Sequence, residues 1–137
     1  MRRNQKCRDS ASGMPGGLSI ESFVEANGGG CVVTATEEAV HVVEIRNRSL
    51  LRFRVDIVAQ CESDSLSYPA NERSWSKNVQ VGDRPARGGL YTRKVTENLA
   101  CGETSTDESI SVSVKYEAIG CRCSGSAELN LLVDTRS

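Results

Sequence analysis

The chain has 137 residues, with 17 basic against 18 acidic side chains, a formal net charge of −1 and only 4% aromatics. That is the size of one domain with room for a real hydrophobic core. The balanced charge excludes a general nucleic-acid binder, which needs a positive field, and so few aromatic rings leave little for stacking on bases.

Residues 1 to about 18 are polar and aperiodic and contain Met14-Pro15-Gly16-Gly17, so they read as an unstructured tail ahead of a β-domain over 19–137. Arg2, Arg3, Lys6 and Arg8 against Asp9 have some of the character of a transit segment, although a basic tail is the plainer reading. No apolar run of signal-peptide length follows Met1-Arg2-Arg3, and no stretch approaches a membrane span. The sequence therefore points to an intracellular, cytoplasmic chain.

Residues 18–24 suit a strand better than a short helix, and Asn27-Gly28-Gly29-Gly30 is a turn. The β-branched run 31–36 and the apolar run 39–45 read as strands, the latter central in its sheet. After the polar Arg46-Asn47-Arg48-Ser49 turn, Leu51, Phe53, Val55, Ile57 and Ala59 alternate with Arg52, Arg54 and Asp56. That period of two marks a strand with one buried and one wet face. Residues 61–74 are rich in Ser, Asp, Asn and Pro and read as a long loop, followed by a strand over 75–81. Residues 82–89 form the clearest loop, 90–95 a short strand, and 97–108 a polar, turn-like stretch. Two clean alternating strands close the chain. Ile110, Val112, Val114 and Tyr116 face inward in one, and Ala127, Leu129, Leu131 and Val133 in the other. About eight short strands without a helix predict an all-β fold. A single antiparallel sandwich, C2-like or immunoglobulin-like, fits best, with a partly closed barrel left open.

The catalytic inventory is thin. The one histidine, His41, lies inside the most apolar strand, on the same alternating set as Ala39, Val43 and Ile45. It reads as a packed, hydrogen-bonded residue, because a general base must reach its substrate. Any Ser-His or Cys-His nucleophile would have to use it, and no Gly-x-Ser-x-Gly elbow is present. No catalytic residue, metal ligand set or cofactor is therefore expected, and a small metal- or His41-dependent enzyme is a distant alternative.

The six cysteines, Cys7, Cys31, Cys61, Cys101, Cys121 and Cys123, are expected to be reduced in a chain without an export signal. Cys121-x-Cys123 lacks the spacer usual in structural zinc pairs, and the others are scattered. Glu62 with Asp64, and Glu103 with Asp107 and Glu108, could form a weak calcium site if their loops met; solvated loop carboxylates are the plainer reading. Glycine-rich stretches lack the ending of a phosphate loop. The Asn47-Arg48-Ser49 sequon is not expected to be glycosylated inside a cell.

One surface feature stands out. Arg46, Arg48, Arg52 and Arg54 are expected on one hairpin, with Arg84, Arg87, Arg93 and Lys94 as a second basic group. Arginine forks favour specific interfaces, so the first four are the candidate partner-binding residues, although a charge-protected outer face would look similar.

The order Glu44-Ile45-Arg46-Asn47-Arg48-Ser49, then Phe53 and Val55-Asp56, then Cys61-x-Ser63-x-Ser65, then Arg87-Gly88-Gly89-Leu90-Tyr91-Thr92 and Val95, resembles the C2-like β-sandwich that follows the protease core in calpains. The resemblance spans about residues 30 to 120; the stretch from Glu72 to Val81 is longer than expected, and a Pro-Pro step near Val95 is missing. It implies an eight-stranded antiparallel sandwich that binds or regulates and is no protease, and it carries over no functional residue. The combined expectation is a noncatalytic interaction module with a protein partner, in a larger assembly. A calcium- or phospholipid-binding C2-like domain at a membrane surface is the alternative.

Overall fold

The computed structural model describes residues 7–11, 14, 17–27, 30–102 and 107–136. Among these lie ten strands: β1 (Arg8–Ser10), β2 (Leu18–Ala26), β3 (Val32–Thr34), β4 (Ala39–Asn47), β5 (Phe53–Cys61), β6 (Leu66–Ser67), β7 (Ser74–Val81), β8 (Tyr91–Cys101), β9 (Asp107–Ala118) and β10 (Ser124–Arg136). They build a sandwich of two five-stranded sheets, ordered β1-β2-β4-β8-β6 and β3-β10-β9-β5-β7.

The alternation seen in the sequence seals the space between the sheets. Phe53, Val55, Ile57, Ala59 and Cys61 of β5 are at most 1% exposed, and the residues between them face solvent. Ile110, Val112 and Val114 of β9 and Leu129, Leu131 and Val133 of β10 complete this inner face. Opposite them lie Ile20, Val24, Val43, Ile45, Val95 and Leu99 from the first sheet. Leu51 departs from the pattern: it precedes β5 and is 40% exposed.

Several expectations change. The sandwich is not wholly antiparallel, because β3 runs parallel to the end of β10, with Val32 beside Asp134. Residues 8–10, expected in the tail, form the edge strand β1 on β2. Arg8 explains why: its guanidinium lies 4.3 Å above the Phe23 ring and pairs with Glu21. Asp9 accepts the Asn130 N–H from β10. The rest of the expected tail, residues 1–6, 12, 13, 15 and 16, lies outside the described residues. Strand β8 runs on through Glu97 to Cys101, where polar residues predicted a turn, because it lies against the whole of β4. The 61–74 loop contains β6 and a single 3-10 turn at Pro69–Asn71.

Four of the cysteines are paired, against the expectation of reduced thiols. Cys7 bonds to Cys31 and Cys121 to Cys123, while Cys61 and Cys101 are free. Cys7 precedes β1 and Cys31 precedes β3, each an edge strand, so this disulfide ties the two sheets together. Sequence spacing could not bring these sulfurs together; the pairing of β1 with β2 and of β3 with β10 does.

The largest correction concerns the arginine hairpin. β4 pairs with β2 and β8, and β5 pairs with β7 and β9. Residues 48–52 therefore carry the chain from one layer to the other and do not turn it back on itself. Both strands have an apolar face to bury, and placing them in opposite sheets buries each against the other.

Candidate functional site

Asn47 organises the crossover end of the sandwich. It is the last residue of β4 and fully buried. Its Nδ2 donates to the Leu51 carbonyl at 2.7 Å and to the Gly82 carbonyl at 2.9 Å. Its Oδ1 accepts from the Ser49 N–H at 3.0 Å and the Ser49 hydroxyl at 2.7 Å. One side chain thus satisfies the backbone of the 48–52 crossover and pins it to the loop after β7. Both Nδ2 hydrogens are engaged, so a glycan could be attached at this sequon only if the loop opened. Gly17 closes in from the N-terminal side, its carbonyl accepting the Arg48 N–H at 2.6 Å. It has φ of +93°, and a Cβ there would lie 2.9 Å from the Ser49 nitrogen, so only glycine fits.

Braced from beneath, the crossover pushes its next residues outward. Leu50 is 70% exposed and Leu51 40%. Two neighbouring loops flank them: the Arg84 N–H donates to the Ser49 carbonyl at 3.1 Å, and the Ile119 N–H to the Arg52 carbonyl at 2.7 Å. The register places all three loops at one end, since Asn47 stands beside Tyr91, and Phe53 beside both Val81 and Ala118. Loops 48–52, 82–89 and 119–123 carry Arg48, Arg52, Arg84, Arg87 and Arg122 and a single acid, Asp83. The end is thus an exposed aliphatic pair amid arginines, in a chain of almost neutral net charge.

The four arginines singled out from sequence divide among three places. Arg48 and Arg52 belong to this end and are exposed. Arg46 lies on the outer face of the first sheet, where it pairs at 3.0 Å with the buried carboxylate of Glu44, with Lys94 at 3.9 Å. It neutralises a buried charge and is less available to a partner. Arg54 lies on the outer face of the second sheet, opposite Glu117, in an open groove of about 430 Å³ also lined by Asp56, Lys115, Asn78 and Ser126. Acids and bases are interleaved along that groove, so it offers no single charge preference. Leu50, Arg122 and the bracing role of Asn47 escaped the sequence reading. The signal available was a pair of consecutive leucines where alternation should have continued.

The core holds a second polar cluster. His41 is fully buried; its Nε2 lies 2.7 Å from Ser22 Oγ and its Nδ1 3.0 Å from the Tyr68 hydroxyl. The rings of His41, Tyr68 and Trp75 pack with centroids 5.9–6.2 Å apart. Burial lowers the His41 pKa to about 4 and raises that of the nearby Cys61 thiol to about 11. Burial likewise raises the Tyr68 phenol. All three are neutral at pH 7, and His41 and Cys61 have no surface exposed to solvent. His41 is thus the packed, hydrogen-bonded residue expected.

At the far end the Glu62 N–H donates to the carbonyl of Ser109 in β9, which brings Glu62 to the strand that carries Asp107 and Glu108. Asp64, however, pairs with Arg73, and Glu103 lies outside the described residues. Among the described residues no group of three or more potential ligands gathers to hold a metal ion.

No family model matches the chain, and no curated protein matches it. Among solved structures it is similar to the C-terminal domain of wzt, at 12% identity and a TM-score of 0.46, over 98% of this chain and 80% of that one. It is also similar to the GAE domain of GGA2p from Saccharomyces cerevisiae, at 13% identity and a TM-score of 0.47, over 90% of this chain and 96% of that one. Neither is a calpain-type domain, and likeness at this level carries no argument about function. The sandwich rests on its own strand pairings.

Proposed function

We propose that this chain is a noncatalytic β-sandwich interaction module whose crossover end docks an acidic protein segment carrying an aliphatic anchor. The observation that carries the reading is the exposure of Leu50 and Leu51 among Arg48, Arg52 and Arg84. Covering both leucines would contribute on the order of 3 kcal/mol, and the arginines would select acidic partners by charge and by bidentate hydrogen bonds. The bracing of Asn47 supports it, because a pre-ordered loop loses little entropy on binding. The calpain-type resemblance, whose Asn-Arg-Ser step is this crossover, adds the finer reading of a regulatory or structural subunit within a larger assembly.

The test is fluorescence anisotropy with a labelled peptide of glutamates flanking a leucine pair, and a lysine counterpart as control. Binding of the acidic peptide alone is expected, weakening with salt and at least tenfold on Arg48→Glu with Arg52→Glu, a change worth about 1.4 kcal/mol. Leu50→Ser should weaken it and Arg54→Glu should not. Equal binding of both peptides, or equal loss from Arg54→Glu, would overturn the assignment of the surface. Binding to anionic vesicles in place of the peptide would favour the phospholipid reading.

A further inference from the structure

The same end carries a second feature that docking does not require. We infer that the Cys121–Cys123 disulfide is a thiol–disulfide exchange site, taking a low-molecular-weight thiol of the glutathione class as its substrate. The inference is independent of the docking reading.

The two disulfides differ in what they can do for the fold. Cys7–Cys31 spans 24 residues and joins edge strands of different sheets; Cys121–Cys123 spans two, within one turn. A cross-link restrains the unfolded chain more the longer the loop it closes, growing as the logarithm of its length, so the second pair has less to hold. Nor does the turn need it. Strand pairing runs to Glu117 opposite Ser124, and the Ala118 N–H donates to the Cys123 carbonyl at 2.8 Å. The hairpin is closed by its backbone before the sulfurs are considered.

What remains is reactivity. Cys123 is exposed, whereas Cys121 is half-buried and packs against the core, so an incoming thiolate meets Cys123 first. Exposed disulfides are the labile ones, and the exposed Arg122 between the sulfurs favours a leaving thiolate. In the first step the thiolate attacks Cys123 Sγ, the Cys121–Cys123 bond breaks, and its electron pair leaves on Cys121 Sγ. A mixed disulfide now joins Cys123 to the small thiol. In the second step another thiolate attacks the small-molecule sulfur of that mixed disulfide and releases Cys123 as thiolate. The cysteine pair is reduced by two electrons and the two thiols are oxidised to one small disulfide. The protons they shed are those the two cysteines take up.

The full chain is equilibrated in glutathione mixtures of graded ratio, quenched with maleimide and mapped by peptide mass, with near-UV circular dichroism recorded alongside. Cys121–Cys123 is expected to open at a ratio about tenfold or more less reducing than Cys7–Cys31 requires, with the tertiary signal unchanged. Oxidised glutathione should add to Cys123 in Cys121→Ser about tenfold faster than to Cys121 in Cys123→Ser. The inference fails if the pair stays closed at ratios that open Cys7–Cys31. Loss of the tertiary signal on opening, or equal reaction of the two single variants, would also overturn it.

Discussion

Asn47 shows how a single side chain can set up a surface to which it does not belong. Its two donated and two accepted hydrogen bonds hold a loop whose exposed residues do the contacting. Asn47→Ala would leave the Leu51 and Gly82 carbonyls without this partner and should cost about 2–4 kcal/mol in urea denaturation. An effect below 1 kcal/mol would mean that the loop holds itself. His41 makes a prediction of a different kind. Its pKa is about 4 in the fold against 6.5 for the free side chain, so the unfolded chain binds the extra proton. The associated stability is fully present above pH 6.5 and falls as the pH drops toward 4. The loss should be about 1.6 kcal/mol between pH 6.5 and 5, before most carboxylates titrate. His41→Gln should flatten that stretch of the stability curve; a wild-type slope in the variant would place the titration elsewhere.

At the scale of elements, the readable strands were those whose own residues alternate. β5, β9 and β10 declare themselves because one face is apolar along its length. β1 does not, because its three residues are polar and what orders them is remote. Arg8 finds Glu21 and Phe23 across the sheet, and Asp9 finds Asn130, which is 121 positions away in sequence. The same limit explains the arginine hairpin. A connection of five residues looks alike whether it turns within a sheet or crosses between two, and the partners that decide, β8 for β4 and β9 for β5, come later in the chain. The division of Arg46, Arg48, Arg52 and Arg54 among three surfaces follows from that one crossing. The two disulfides should divide in the same spirit. Replacing Cys7 and Cys31 by Ser should cost about 3 kcal/mol by loop-closure entropy, and replacing Cys121 and Cys123 no more than about 1.5 kcal/mol. Comparable losses would mean that the short bridge is structural after all.

Across the whole molecule, charge is uneven although the total is near zero. The crossover end gathers five arginines around two exposed leucines, while Glu37, Glu38, Glu62 and Asp64 lie in the loops at the other end. Such a dipole orients an approaching acidic partner before contact, an effect that weakens as salt shortens the Debye length. The edges of the sheets are poorer candidates. β7 is the longest edge strand, yet Lys77 faces the inner side there, an arrangement that discourages a further strand from adding. A titration of the isotopically labelled chain with the glutamate-leucine peptide, followed by amide chemical shifts, locates contact most directly. The account predicts saturable shifts in residues 48–52, 82–89 and 119–123, diminishing as salt is raised. Shifts centred on the Arg54–Lys115 groove or along β7, with the crossover end unmoved, would contradict it.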